Sequence, residues 1–323
     1  MGKDGRGHAR HLPKGEPLTA PPLVTVVTPS LNQGNYIRAT IESVLSQDYP
    51  HLDYWVIDGR STDNTRAILQ SYSRHPNFHY CSEPDRGQAE AIQKGWQHGR
   101  GHILAWLNAD DLYQPGAVSQ IVAALAQRPQ AVMVCGSAQV IDAAGRPFGR
   151  IAAPHLTLSD MLGLVHFLPQ PAVFMRAEAV RAVGSLNTAL HYAFDFDLFL
   201  RLAAQGSIHY IEKELALYRW HDEAKTAANF SHLRLEAAQV ARTFLNSTAG
   251  QQMPDRRHLL SYSHLVEGYA HLRLGRVQPF LTHTMRGLSI SPANIQWIVR
   301  RTVKHLRRNG EPALAYPYDP ALS

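Results

Sequence analysis

From residue 23 onward, short apolar runs alternate with stretches whose apolar residues recur every three or four positions. LVTVVT (23–28) is apolar and β-branched, as a strand buried on both faces of a parallel sheet should be. A polar turn, PSLNQGN, follows, and Ile37, Ile41, Val44 and Leu45 then fall on one helical face. YWVID (54–58) predicts a second strand. The loop GRSTDNT is rich in helix-capping residues, and Ile68, Leu69 and Tyr72 mark the helix after it. FHYC (78–81) predicts a third strand, and DRGQAEAIQKGW a helix that turns Ala89, Ile92 and Trp96 inward. HILAWL predicts a fourth strand. A helix opening at Pro115 carries Val118, Ile121, Val122 and Leu125 on its apolar face. This βαβαβαβ order predicts an α/β fold with a doubly wound, mostly parallel sheet.

The pattern changes after residue 130. AVMVCGSAQVIDAAGRPFGR reads as two strands joined by a turn at Ala143–Gly145, a small antiparallel addition. PAVFMR (171–176) predicts a further strand, FDFDLFLRLAAQG (194–206) a helix, and IHYI and LALYRWH two closing strands. From about residue 227 the chain reads as helical to roughly 308. The expected organisation is a disordered leader over 1–22, an α/β domain over 23–226, a helical region over 227–310 and a tail over 311–323.

Composition bounds the function only loosely. The 323 residues carry 32 Lys and Arg against 26 Asp and Glu, a net charge of +6 that suits anionic partners without naming one. The two cysteines, Cys81 and Cys135, sit inside apolar runs and read as core thiols rather than a disulfide, which suits a reducing compartment. No stretch approaches the roughly 18 consecutive apolar residues of a membrane span, and the first 22 residues have no apolar core of a signal peptide. Both features point to the cytoplasm.

In a doubly wound sheet, ligands bind at the carboxyl ends of the strands. Asp58 ends the second strand, and Asp110 and Asp111 follow the fourth. Adjacent carboxylates repel each other unless a cation sits between them and a ligand. A hard divalent ion such as Mg²⁺ or Mn²⁺ prefers such oxygens and bridges phosphates; the competing reading makes Asp111 a helix cap. TPSLNQGNY places a polar loop before a helix N-terminus, which favours phosphate. EPDRGQAEA adds Asp85 and Arg86 at the end of the third strand.

Taken in order, TVVTPSLNQGNYI, VIDGRSTDNT, EPDRGQAEAIQKG, LNADDLY, FDFDLFLRL and LYRWH resemble the family 2 glycosyltransferases of the glycosyltransferase-A fold, over roughly residues 22–225. The resemblance implies a non-processive, inverting transfer of sugar from a nucleotide-sugar donor to a saccharide or lipid-linked saccharide acceptor, in surface polysaccharide or glycan biosynthesis. It carries donor binding onto Pro29, Ser30, Asn32, Asp58, Asp85, Arg86, Asn108, Asp110 and Arg219. It carries the divalent metal (Mg²⁺ or Mn²⁺) onto Asp110, Asp111 and His221, and the catalytic base onto Asp195. Three positions depart from the family pattern: Gly59 where a second aspartate is common, Asn108 in place of the first aspartate of the acidic element, and Phe194 where glutamate often stands. For Asp195 and its neighbour Asp197 the competing reading is an N-cap. Flanking Phe194 and Phe196 would dry the site and raise the pKa of Asp195.

Near the end, Ile295, Ile298, Val299, Thr302, Val303 and Leu306 form an apolar stripe beside five basic residues. A packed helix with a solvated basic face explains this, and so does peripheral contact of 295–308 with an anionic membrane at its inner face. The basic end also supports an alternative reading as a nucleic-acid-binding protein. That reading needs basic and aromatic residues interleaved on one surface, and the stripe is aliphatic, so no nucleic acid is expected. A catalytically inactive transferase-like scaffold is the other alternative, resting on the three departures.

Overall fold

The computed structural model describes residues 21–153, 155–164, 167–221, 229–296 and 299. Residues 1–20 of the expected leader, the expected tail, and most of the apolar stripe with its five basic neighbours lie outside these residues. The strands are β1 (Val24–Ser30), β2 (Leu52–Asp58), β3 (Phe78–Ser82), β4 (Ile103–Trp106), β5 (Leu112–Tyr113), β6 (Ala131–Ile141), β7 (Pro147–Ile151), β8 (Val173–Arg176) and β9 (Ser207–Arg219). They form one sheet in the order β3-β2-β1-β4-β8-β6-β9-β5, with β7 beside β6.

The pairings fix the directions. β2, β1 and β4 pair in parallel, as do β2 with β3 and β6 with β9. β8 is antiparallel to both β4 and β6, so β6 and β9 run the same way as β4. The ends of β1, β2, β3, β6 and β9 and the residues after β4 therefore gather along one edge of the sheet. Only β5, β7 and β8 run against that direction.

Helices α1 (Ile37–Leu45), α2 (Thr65–Ser71), α3 (Gln88–His98), α4 (Ala117–Gln127), α5 (Leu158–Leu162), α6 (Ala177–Ala182) and α7 (Phe194–Ala203) cover the sheet. They are followed by α8 (Phe230–Asn246), α9 (Thr248–Gln251), α10 (Arg256–Arg273) and α11 (Val277–Ile290). The period of two along each strand splits the core into two layers. Ile103, Ala105 and Leu107 face one layer, with Ile37, Ile41, Ile68, Val118 and Leu125 from α1, α2 and α4. Leu104 and Trp106 face the other, with Ile92 and Trp96 of α3 and Phe199 of α7. Ala237, Ala241 and Phe244 of α8 and Tyr262 of α10 belong to that same layer. Helix α3 lies close on β1 because Gly95 has no side chain; a β-carbon there would stand 2.5 Å from Val27 Cγ1.

Two strand expectations are revised. IHYI and LALYRWH are halves of one strand, β9, whose middle residues Glu212, Lys213 and Glu214 are exposed while the ladder to β6 continues through register shifts. The run 171–176 becomes a strand only at Val173, because Pro171 lies in a 3₁₀ turn over Gln170–Ala172. Among the described residues no helix is long and apolar enough to cross a membrane.

Arg176 is buried at the end of β8, where burial pulls its pKa down. Its Nε donates to the Ala131 carbonyl at 2.9 Å and its Nη2 to the Leu125 carbonyl at 2.9 Å, satisfying an acceptor at the C-terminus of α4. Arg176→Met fills similar volume but removes the side-chain donor from both buried carbonyls, leaving that of Leu125 only the Arg128 N–H at 3.3 Å. It should lower the unfolding free energy by about 2–3 kcal/mol, read as a lower urea midpoint at unchanged m-value.

Candidate active site

The first wall of the site is made by the loops after β1 and β2, which are stitched together. Asn32 takes a left-handed backbone, φ 53°, and its side-chain oxygen accepts the Thr62 N–H at 2.8 Å. Its own N–H donates to Ser61 Oγ at 2.7 Å. Gln33 N–H donates to Thr65 Oγ1 and Gly34 N–H to Asp63 Oδ2. Gly34 permits the contact, since a β-carbon there would lie 1.7 Å from Asn64 Oδ1. Asp58 is fully buried beneath this seam. Its carboxylate accepts Ser61 N–H at 3.0 Å, the Ser61 hydroxyl and Ser82 Oγ at 2.6 Å, so it organises the loop from below. Pro29 and Ser30 close β1 as buried residues, and the Ser30 hydroxyl has no hydrogen-bond partner among the described residues. Of the capping residues in the loop, Asp63 makes a local turn to Thr65 N–H, while helix α2 begins after Asn64 without a side-chain cap.

The second wall is the segment after β4. Thr40 of α1 holds it from beneath, its hydroxyl 2.8 Å from the Ala109 carbonyl and 2.9 Å from that of Asp111. Asp111 is not a helix cap, for α4 starts after Gly116. Its carboxylate points inward, accepting Arg219 N–H at 2.8 Å and Asn108 Nδ2–H at 3.2 Å. Burial, and then the Asp110 charge, push Asp111 well above the ordinary carboxylate range. Arg219 is also buried. Its guanidinium donates to the carbonyls of Asp110, Asp142 and Ala143 and lies over the Tyr36 ring at 5.0 Å. Asp110 keeps a partly exposed carboxylate, and its Oδ2 lies 3.0 Å from His221 Nε2. The His221 ring in turn packs against Tyr36 at 5.1 Å.

The third element is the start of α7. Asp195, Asn108, Gln88, Tyr192 and Phe194 line one cavity of about 140 Å³ with Trp106 and Gln170. Asn108 joins this cavity to the acidic segment: it accepts from Gln88 Nε2 at 2.7 Å and donates to Asp111. Asp195 is not the N-cap, a position taken by Ala193; its Oδ1 accepts the Phe196 N–H at 2.7 Å. Phe194 and Phe196 on either side are buried. Asp197 is turned to Arg201, at 2.6 Å, which is anchored on the carbonyls of Val183 and Ser185.

Asp85 stands beside the first wall, against Gly59, where a β-carbon would meet Asp85 Oδ2 at 2.9 Å. Burial raises its pKa, and Gly87 N–H donates to it at 2.8 Å. The absent side chain at Gly59 is thus matched by a carboxylate from the neighbouring loop. Arg86 is mostly exposed and paired with Glu90 at 2.9 Å.

Sequence reasoning missed Glu236. This residue of α8 accepts three successive backbone N–H groups from the segment leading into α7: His191 at 2.9 Å, Tyr192 at 2.5 Å and Ala193 at 2.6 Å. No local pattern announces it, because the donors lie more than 40 residues away. Thr40 and Gln88 were missed for a similar reason: a helical residue's tertiary partner is not written in its spacing.

A family model described as "Glycosyl transferase family 2" matches residues 25–193, just over half of the chain. An uncharacterized glycosyltransferase of Rickettsia typhi is 26% identical over 244 residues, covering 73% of this chain and 75% of that one. Of three further rickettsial relatives the chain spans only about two-fifths of the length (40%, 42% and 38%). TuaG of Bacillus subtilis, whose name assigns it to teichuronic acid biosynthesis as a glycosyltransferase, is 34% identical over 145 residues, 44% of this chain and 57% of that one. Among solved structures, S. aureus TarS 1–349 in complex with UDP-GlcNAc aligns with a TM-score of 0.65 at 15% identity, over 89% of this chain and 88% of that one. The architecture is that of the glycosyltransferase-A fold, with a helical C-terminal region.

Glu236→Ala would leave the three amides of 191–193 without their acceptor. It should lower unfolding free energy by ~2–3 kcal/mol. Amide hydrogen exchange at 191–193 should accelerate far more than in the strands of the sheet.

Proposed function

The chain belongs to glycosyl transferase family 2, and from that premise we propose that it moves a sugar from a nucleoside-diphosphate donor onto an acceptor hydroxyl in one inverting, metal-dependent step. One observation carries the reading. Asp195 and Asn108 share a cavity, and Asn108 is hydrogen-bonded into the segment that holds Asp110 against His221.

Asp195 is the base. An acceptor hydroxyl has a pKa far above neutrality, so it must lose its proton as it attacks the anomeric carbon. The acceptor oxygen forms its bond to that carbon as the bond to the departing phosphate oxygen breaks, and the proton passes to the Asp195 carboxylate. Phe194 and Phe196 are buried on both sides of this carboxylate, which limits competing water. Gln88 and Asn108 offer amide groups to sugar hydroxyls within the same cavity. The seam of Asn32, Ser61 and Thr62, with the unpartnered Ser30 hydroxyl at its root, offers polar groups to the base and ribose.

The metal fits Asp110 and His221. Their facing atoms are 3.0 Å apart, about the separation of adjacent ligands around a hexacoordinate ion with bonds near 2.1 Å. A carboxylate oxygen is the donor that Mg²⁺ or Mn²⁺ prefers. When bound there, the ion neutralises the charge that grows on the leaving diphosphate. Asp111 we assign to support, because both its oxygens are engaged inward with Arg219 and Asn108. Arg219 holds the same segment through carbonyls and lends positive potential from behind.

The nucleotide-sugar donor is supported by the UDP-GlcNAc bound to TarS, and a role in surface polysaccharide assembly by the name of TuaG. A saccharide or lipid-linked saccharide is the acceptor this assigns. Cys81 and Cys135 are free thiols, which suits work on the cytoplasmic side.

Thermal unfolding with UDP, GDP, CDP or TDP, each with and without Mn²⁺, tests the donor site. One nucleotide should raise the Tm in a metal-dependent way, and Asp110→Asn should abolish the metal dependence; an unchanged Mn²⁺ effect in that variant removes Asp110 as a ligand. Asp195→Asn should keep the nucleotide-induced shift while transfer falls by about 10²–10⁴-fold. Near-normal turnover would exclude Asp195 as the base.

A further inference from the structure

Away from the cavity, the helical region holds a second cluster with ligand chemistry. His264 and Glu267 lie one turn apart on α10, and His283 faces them from α11. His264 Nδ1 is 3.3 Å from His283 Nδ1, and His283 Nδ1 is 3.2 Å from Glu267 Oε2. The three ligand atoms all lie within 4.8 Å of one another. His264 and Glu267 are buried and His283 is partly so.

Hydrogen bonding alone leaves this arrangement incomplete. The Nδ1 of His283 carries at most one hydrogen, yet both Glu267 Oε2 and His264 Nδ1 converge on it. Three donor atoms around one centre suit an ion better than a proton. Two ligands at ~2.0–2.1 Å from a tetrahedral zinc sit about 3.3 Å apart, which is the spacing seen here. Burial, then Arg242, His283 and Arg286, pull His264 down to about 4.

The surroundings supply an outer shell and a way in. Glu267 pairs with Arg242 of α8 and accepts from Gln239 Nε2 at 3.3 Å. Ligating carboxylates are usually hydrogen-bonded in this way, and an oxygen with two lone pairs can keep its guanidinium while it binds an ion. His264 also borders a pocket of about 470 Å³ with Thr243, Asn246 and Arg286, open enough to admit a hydrated ion. The His271 ring lies 5.6 Å from that of His283. Arg242 and Arg286 are the cationic groups that face the cluster, and they oppose any added positive charge.

We propose that His264 Nδ1, Glu267 Oε2 and His283 Nδ1 form a zinc-class divalent metal site. Two imidazoles and one carboxylate select a borderline ion over Mg²⁺ or Ca²⁺. The ion pins α11 to α10 beside α8, the helix whose Glu236 holds the entry to α7.

The test uses the full chain, stripped with a chelator, dialysed, and titrated with Zn²⁺ by calorimetry in excess Mg²⁺. One equivalent should bind, and the same titration should raise the Tm. His264→Asn with His283→Gln should weaken binding by more than about 100-fold, beyond the effect of an outer-shell change. The single variant His283→Gln, at a partly exposed position, serves if the double variant fails to fold. Asp110→Asn should leave this binding unchanged, which separates it from the proposed donor site. The proposal is overturned if no equivalent binds, if the histidine variants bind as the parent does, or if Asp110→Asn abolishes binding.

Discussion

Arg219 is the constraint on which the site depends. A buried guanidinium must be matched by acceptors, or it is excluded from the interior. Here the acceptors are the carbonyls of Asp110, Asp142 and Ala143, and they come from two different strand connections. The backbone N–H of the same residue is taken by Asp111, a carboxylate that is itself buried and disfavoured in its charged form. The Arg219 charge offsets a small part of what burial and Asp110 cost the Asp111 carboxylate. These contacts tie three chain segments together, and Asp110 and His221 meet at the rim.

The fold was readable because the physics that builds it is local. Buried parallel strands appear as unbroken apolar runs such as ILAW, and helices such as α1 repeat their buried residues at Ile37, Thr40, Ile41 and Val44. The reading failed where tertiary pairing bridges a local break: Glu212–Glu214 look like a loop, yet the ladder to β6 steps over 211–213 and resumes at Glu214 opposite Ser137. For the site, the order of motifs assigned the candidate residues to one edge of the sheet, and strand direction delivers 30, 58, 110 and 219 there. Which way a carboxylate points was not legible. Asp58 and Asp110 read alike as strand-end acids, yet two serines draw one inward while His221 meets the other, which stays partly exposed.

The helical region is continuous with the catalytic layers. Ala237, Ala241 and Phe244 of α8 are buried in the same cluster as Phe199 and Leu202 of α7. Glu236, one position before Ala237, turns that packing into a hold on the backbone. A charge-assisted acceptor shared by three amides fixes the direction from which α7 starts, and the direction of α7 fixes where Asp195 stands. Packing alone would set the helix axis; the carboxylate also sets its rotation and its first residue.

The seam between the loops after β1 and β2 has a consequence for energetics of recognition. Backbone donors from one loop end on side chains of the other at Ser61, Thr65 and Asp63, and Asn32 returns the bond to Thr62. Neither loop can change shape alone, and Gly34 leaves no slack between them. A ligand arriving there meets a surface whose ordering entropy was already lost when the chain folded, so little of its contact energy is diverted into freezing the loops.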